Sequence, residues 1–357
     1  MFRIFLVFLF AVSSVQAEPI TSHPVVDLHC HTAGVGAGNS GNFISPAIQD
    51  SWKFGIYLKS FGTNKDEIKA KGDAIVIEKI AQQIRESQYV DAAVILALDG
   101  MVNVQGELDR DKTEIYVDND FVAREVKKYP QLYFGASINP LRKDAIERLA
   151  KVKAQGAVLM KWLPPMQGFS PADLRLIPFY QKLKDYNLPL LVHTGNERSF
   201  THSDDTLGDP MLLRMPLSIG VKVIAAHAGT TGKNQGEDNV ERLAKLMSEF
   251  PNLYAEISTI NNLNKRFFAK RVIQEKRFQG RMVYGSDFPL INSALVSPWY
   301  YPFSISPKKI WQIWGVENPW DQDFLIKRAL GVKMDTFLRG GEVVLFSQGE
   351  KDGKTHP

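Results

Sequence analysis

Cysteine is nearly missing: Cys30 is the only one in 357 residues. A single thiol cannot close an internal disulfide, so the fold must rest on a packed core. An excess of one charge is missing as well. Lys and Arg number 43 against 39 Asp and Glu, a formal charge of +4 without a basic cluster, which argues against nucleic acid as a partner. Low-complexity segments and repeats of fixed period are absent from the sequence. Near the amino terminus the apolar run Ile4 to Val12 falls well short of the roughly 20 residues that span a bilayer. What remains, 44% hydrophobic and 23% charged, is ordinary globular composition.

The first residues have a different character. Met1-Phe2-Arg3, the apolar run and Val15-Gln16-Ala17 follow the layout of a secretory signal peptide at 1–17, with cleavage expected after Ala17. The protein is therefore expected to be exported, periplasmic or secreted, as a mature domain at 18–357 with no stable membrane insertion. Removing Arg3 lowers the formal charge to +3. No cysteine lies near the cleavage point, which argues against a lipid-anchored form.

Strand-like runs at 24–29, 91–98, 132–138, 157–162, 189–193, 221–226, 253–257 and 281–285 alternate with amphipathic segments. The latter lie at 73–88, 119–129, 142–155, 171–186, 209–219, 238–249, 262–277 and 306–314. In Val76, Ile77, Ile80 and Ile84, apolar residues recur at helical spacing. Eight such units predict an α/β fold, a (β/α)8 TIM barrel, with long loop insertions after strands 1 and 2. The first insertion, from Thr32 to Gly72, carries Phe43, Trp52, Phe54, Tyr57 and Phe61, and the second runs from Asp99 to Asp118. Long loops of this kind serve as lids or binding elements. In the tail, a helix-like Phe324 to Leu330 precedes the apolar run Val343-Val344-Leu345-Phe346, expected to pack on the barrel's outside.

Only seven histidines are present, and four of them end strand-like runs: His29 and His31 on strand 1, His193 on strand 5 and His227 on strand 6. Asp287 ends strand 8. Alternation puts His29 and His31 on one face, able to grip a single ion, and turns Cys30 to the other face for packing. Asp27 could point inward by the same count, in a supporting role. Catalytic groups of this barrel gather at the carboxyl ends of the strands. Imidazole with carboxylate suits Zn2+, with Fe2+, Mn2+ or Co2+ as alternatives. A bound ion lowers the pKa of water to about 7, and Asp287 can both touch the ion and accept the water's proton.

These residues, in this order, resemble the amidohydrolase superfamily. Asp27-Leu28-His29-Cys30-His31, His227-Ala228-Gly229 and Gly285-Ser286-Asp287-Phe288-Pro289 look most like its amidohydrolase-related branch, which includes both decarboxylases and lactonases. The resemblance implies metal ligands at His29, His31, Lys161, His193, His227 and Asp287. Lys161 ends strand 4, where members with two metals carry a carboxylated, bridging lysine. Members with one metal use the first-strand pair, the fifth-strand histidine and the eighth-strand aspartate, leaving the sixth-strand histidine to activate water or polarise the substrate. Lys161 can thus bridge two ions, act as a substrate-binding cation or be structural, and one or two ions remain open.

Glu197, Arg198 and Lys233 are candidates for holding a small-molecule substrate, since all three lie on loops after ligand strands. His202 follows on the same loop as Arg198, while His23 and His356 read as surface residues. Trp162 and Trp299 fit either a pocket wall or the core. The leading reading is a metal-dependent hydrolase of an ester, lactone, amide or related bond, with Asp287 and His227 as catalytic residues. A metal-dependent non-oxidative decarboxylase and an exported non-catalytic metal-binding protein are the alternatives. A homodimer stays open, dimers being common among such relatives.

Overall fold

The computed structural model of the protein describes residues 24–197 and 203–345. The expected signal peptide, His23, Arg198, His202, Phe346 and His356 lie outside the described residues.

Eight parallel strands pair in chain order: β1 (Val26–His31), β2 (Ala92–Leu96), β3 (Leu132–Ala136), β4 (Ala157–Trp162), β5 (Leu190–His193), β6 (Val223–Ala226), β7 (Leu253–Glu256) and β8 (Met282–Val283). The residues after β8 close the ring on β1. Leu28 N donates to Tyr284 O at 3.3 Å, His31 N to Phe288 O at 3.0 Å and Asp287 N to His29 O at 2.8 Å. This is a (β/α)8 barrel, and each strand falls within or next to its expected segment.

Every second residue points inward and packs across the lumen: Val26 and Leu28 meet Val94, Leu96, Leu159, Leu191, Ile224 and Val283. The opposite faces pack under the helices. In helix Asn239–Glu249, for instance, Val240, Leu243, Ala244 and Met247 are buried at helical spacing, and Asp238 caps the amino end by accepting from Val240 N.

Two features depart from simple alternation. A bulge in β1 sets Asp27 opposite Ala93 but Cys30 opposite Ile95, one residue too many on the β1 side. The extra residue keeps Leu28, His29 and His31 inward and sends Asp27 outward with Cys30, so Asp27 does not face the lumen. The second departure is the tail. Val343 and Val344 end helix Met334–Val344 and join the lumen cluster, where the sequence reading had them on the outside. Lys222 donates to Val343 O and Arg339 to Met282 O, both at the amino-terminal ends of strands, so this helix plugs the bottom of the barrel. Gly340 permits that approach, because a Cβ there would lie 2.9 Å from Val26 O.

Both insertions rise over the carboxyl ends of the strands. Phe43–Ile44 of the first pairs antiparallel with Ile115–Tyr116 of the second. Helices Trp52–Ser60 and Lys65–Lys71 complete the first insertion. Its base is held by Asp73, which accepts from Val35 N, Gly36 N, Ser40 Oγ and Asn42 Nδ2.

Candidate metal centre

Strand ends and tight turns aim one group of side chains into the mouth of the barrel. His29 and His31 come from β1, Lys161 from β4 and His193 from β5. His227 follows the inward-facing Ala226, so parity alone would turn it outward. Left-handed backbone at His227 (φ 61°) and Ala228 (φ 50°) turns the chain sharply here, and the imidazole joins the others. Asp287 also takes a positive φ of 59°. Such conformations cost roughly 1–3 kcal/mol each in residues other than glycine and persist where the surroundings impose them.

The groups meet closely. His29 Nε2 lies 3.1 Å from His31 Nε2 and 3.3 Å from Asp287 Oδ1, and His31 Nε2 is also 3.3 Å from Asp287 Oδ1. Asp287 Oδ2 is 4.0 Å from His227 Nδ1. Among the described residues, His29, His227 and Asp287 each offer a ligand atom, all within 4.8 Å of one another. The His193 ring centroid is 4.8 Å from that of His227. Lys161 Nζ donates to His29 Nε2 at 2.8 Å.

Glu256, at the end of β7, organises the imidazoles, and the sequence reading missed it. Its Oε2 accepts from His29 Nδ1 at 3.2 Å and from Ser258 Oγ at 2.7 Å. With its proton given to Glu256, Ser258 Oγ accepts from His227 Nδ1 at 2.8 Å. His193 Nδ1 faces Glu197 Oε2 at 3.4 Å. Each of these three rings thus carries its proton on Nδ1 and keeps the Nε2 lone pair. His193 Nε2 is buried without a hydrogen-bond partner, as expected of a nitrogen shaped to hold a cation. Gly285 lets the groups close up, since a Cβ there would fall 2.2 Å from Glu256 Oε1 and 2.8 Å from His29 Cβ.

Burial sets the charge states. It pushes His29 down to about 4, helped by the neighbouring Lys161 charge, and lowers His193 and His227 too. Neutral imidazole is the form that ligates. Asp287 is held well below the usual carboxylate range, because the surrounding histidines outweigh its burial. Lys161 is brought down to about 8 by burial. Lys265, which the sequence reading also missed, is lowered to about 8 by burial and donates to Thr259 Oγ1 at 2.7 Å, itself 3.2 Å from His227 Nδ1.

Behind the turn, Asp27 acts as a clasp. It accepts from Ser286 N at 2.8 Å, Ser286 Oγ at 2.5 Å, His29 N at 3.0 Å and Trp320 Nε1 at 2.8 Å, tying the Asp287 turn to the His29 strand. Cys30 is buried on the outer face, and burial raises its thiol pKa. Above the site is a cavity of about 140 Å3, floored by the histidines, Lys161, Glu197 and Asp287 and roofed by Ile44, Ile48, Phe54, Tyr57, Leu58 and Phe61. Glu197 thus reaches the cavity. Lys233 does not line it: it stands exposed on a hairpin pairing Lys233–Asn234 with Glu237–Asp238. Trp162 is buried in the outer core against Phe169, and Trp299 lies at the surface.

A parallel βα barrel with histidines and an aspartate at the mouth is the architecture of the amidohydrolases. The chain belongs to the amidohydrolase family Amidohydro_2, whose profile matches residues 26–304. No match was found among curated proteins. Among solved structures, the fold is shared with an uncharacterized TIM-barrel protein from Bordetella bronchiseptica, at 15% identity and a TM-score of 0.58 over 91% of this chain and 98% of that one. A Pseudomonas putida protein put forward as a 2-pyrone-4,6-dicarboxylic acid hydrolase is similar at 13% identity, with a TM-score of 0.49 over 87% and 99% of the two chains. A 2,6-dihydroxybenzoate decarboxylase is similar at 14% identity, with a TM-score of 0.47 over 86% and 99%.

Proposed function

We propose that the protein is a metal-dependent hydrolase acting on an ester, lactone, amide or related bond of a small molecule. The observation that carries this is the meeting of His29 Nε2, His31 Nε2 and Asp287 Oδ1 within 3.3 Å, on the floor of a largely apolar cavity. His29, His31, His193 and Asp287 would hold the ion, with Lys161 and His227 able to extend the set to a second. Nitrogen and carboxylate donors suit Zn2+, with Mn2+ and Fe2+ as alternatives. A divalent cation held there lowers the pKa of a coordinated water towards about 7 and polarises a carbonyl oxygen.

The chain's own groups supply the rest. Asp287 faces His29 and His31 with Oδ1 and His227 with Oδ2, so one carboxylate serves both the ion and a proton. Kept ionised, it acts as the base for the attacking water. His227 donates Nδ1–H to Ser258, so its Nε2 is an acceptor for a proton or a cation. Glu256 keeps His29 in the ligating tautomer. The Ile44, Phe54, Leu58 and Phe61 side chains exclude bulk water from the substrate.

Lys161 favours hydrolysis with two ions over decarboxylation with one. A neutral, desolvated amine beside His29 can capture CO2 and become an anionic ligand, and burial brings Lys161 towards that neutral form. The test is the purified protein, loaded with Zn2+ or Mn2+, on a panel of lactones, esters and dipeptides. Cleavage of one of these substrates is expected. CO2 release from aromatic acids would replace the reading by decarboxylation, and inactivity on both panels by a non-catalytic metal-binding role. One ion per chain without the mass of one CO2 on Lys161 would remove the bridging role of that residue.

A further inference from the structure

Outside the cavity lining, the chain displays a group of exposed aromatic side chains. Trp299, Trp311 and Trp314 remain 43%, 59% and 56% exposed, and Phe267 and Phe303 are 79% and 102% exposed. The three indoles pack edge to face, with ring centroids 5.1, 5.5 and 6.4 Å apart. All five residues belong to segments that pack round one satellite core containing Ala269, Tyr301, Ile305, Ile310 and Ile313. Helix Pro307–Trp314 is apolar on both sides: Ile310 and Ile313 bury inward, while Trp311 and Trp314 face out. The two exposed indoles thus form an uncovered aromatic stripe beside the buried isoleucines of the same helix. Taking about 250 Å2 per indole side chain, the three packed tryptophans leave roughly 400 Å2 of contiguous aromatic surface, the size of the largest patches on soluble monomers, which are often functional.

We infer that this surface docks on an anionic lipid bilayer. Indole, with an apolar body and a polar N–H, is the side chain that settles at headgroup level, and lysines beside it draw the surface to negative charge. Lys308 and Lys309 stand exposed on the same helix as Trp311 and Trp314, with no ion pair among the described residues. Arg266 lies over the Phe267 ring, 4.3 Å from its centroid. The patch therefore combines aromatic area with positive charge and answers an anionic partner. Phe303 projects fully into solvent, a shape that enters a soft lipid layer more readily than a flat protein face. No helix among the described residues is long and apolar enough to cross a membrane, so the mode is adsorption to the surface, without spanning. The inference is independent of the proposed hydrolysis.

The experiment is co-sedimentation of the purified protein with vesicles of phosphatidylglycerol and phosphatidylethanolamine, against vesicles of phosphatidylcholine alone. The protein is expected to sediment with the anionic vesicles and shift its tryptophan emission to the blue, and to stay in solution with the neutral ones. Trp311→Ala with Trp314→Ala should weaken binding on the order of tenfold or more. Lys308→Glu with Lys309→Glu should weaken it by on the order of fivefold per lysine, and added salt should do the same. Phe303→Ser, at a fully exposed position, repeats the test without touching the indoles. Unchanged circular dichroism and metal content keep these losses specific to the surface. Equal sedimentation with both vesicle types, or with neither, overturns the inference. So does a dimer in analytical ultracentrifugation that the tryptophan variants split, which would assign the patch to a second copy.

Discussion

At the floor of the cavity the side chains are polar and several are held from behind: His29 by Glu256, His227 by Ser258, and the Asp287 turn by Asp27 through Ser286. At the roof, Ile44, Ile48, Phe54, Leu58 and Phe61 face the cavity with apolar side chains, while the hydrogen bonds that hold the insertion lie behind them, at Asp73, Ile44 O and Ser60 O. The floor is built on strand ends and fixes positions through hydrogen bonds between buried groups. The roof is built on an insertion and fixes only shape and dryness. In this account, therefore, chemistry belongs to the barrel and substrate choice to the insertions, and variants on the two sides should fail in different ways.

The largest effect falls on the floor. Asp287→Asn removes the base while keeping the side-chain volume, so turnover should drop by about 10²–10⁴-fold with the circular dichroism spectrum retained. Full activity in that variant would return the proton to His227. Glu256→Gln comes next: without the carboxylate that orients His29, ion affinity measured by competition with a chelator should fall about 10–100-fold. Phe61→Ala tests the other side. Its ring is buried, with its centroid 5.6 Å from that of Phe288, so about 3 kcal/mol of stability should go, together with a raised KM, while ion content stays unchanged. A loss of bound ion in Phe61→Ala would erase the division between roof and floor.

The smallest expected effect is on pH. Lys161 and Lys265 have folded pKa values near 8, below the usual 10.5. Above pH 8 the unfolded chain holds protons that the folded one has lost, so the metal-free protein should gain stability as pH rises from about 8 to about 10. Beyond that, the buried tyrosines Tyr180 and Tyr284, whose pKa values burial raises, reverse the trend. Lys161→Met should flatten part of the rise in urea titrations taken across that range.

All eight strands were legible because each is an apolar run bounded by turn residues, and the ionisable residue ending a run marked His29, His31, Lys161, His193, His227 and Asp287. The same rule would have found Glu256, which ends Leu253-Tyr254-Ala255 in phase with the inward Tyr254. Other features were hidden for physical reasons. The β1 bulge that turns Asp27 outward is one inserted residue, invisible to alternation. The turn at His227 depends on positive φ in a non-glycine residue, which no propensity announces. Lys233 shared a loop with the site but lies on its far hairpin, because position in a loop does not fix direction. The tail helix read as an outer element because its plugging role depends on Gly340 meeting β1.

The most direct measurement is thermal unfolding of chelator-treated protein titrated with Zn2+ or Mn2+, read beside metal analysis. A cation held by the folded state alone should raise Tm in a saturable way, by about 2.7 kcal/mol of stability at one hundred times Kd, and the rise should vanish in His29→Asn and in Asp287→Asn. A wild-type protein that takes up no stoichiometric ion and unfolds at the same temperature with and without it would contradict the metal centre, and the proposed hydrolysis with it.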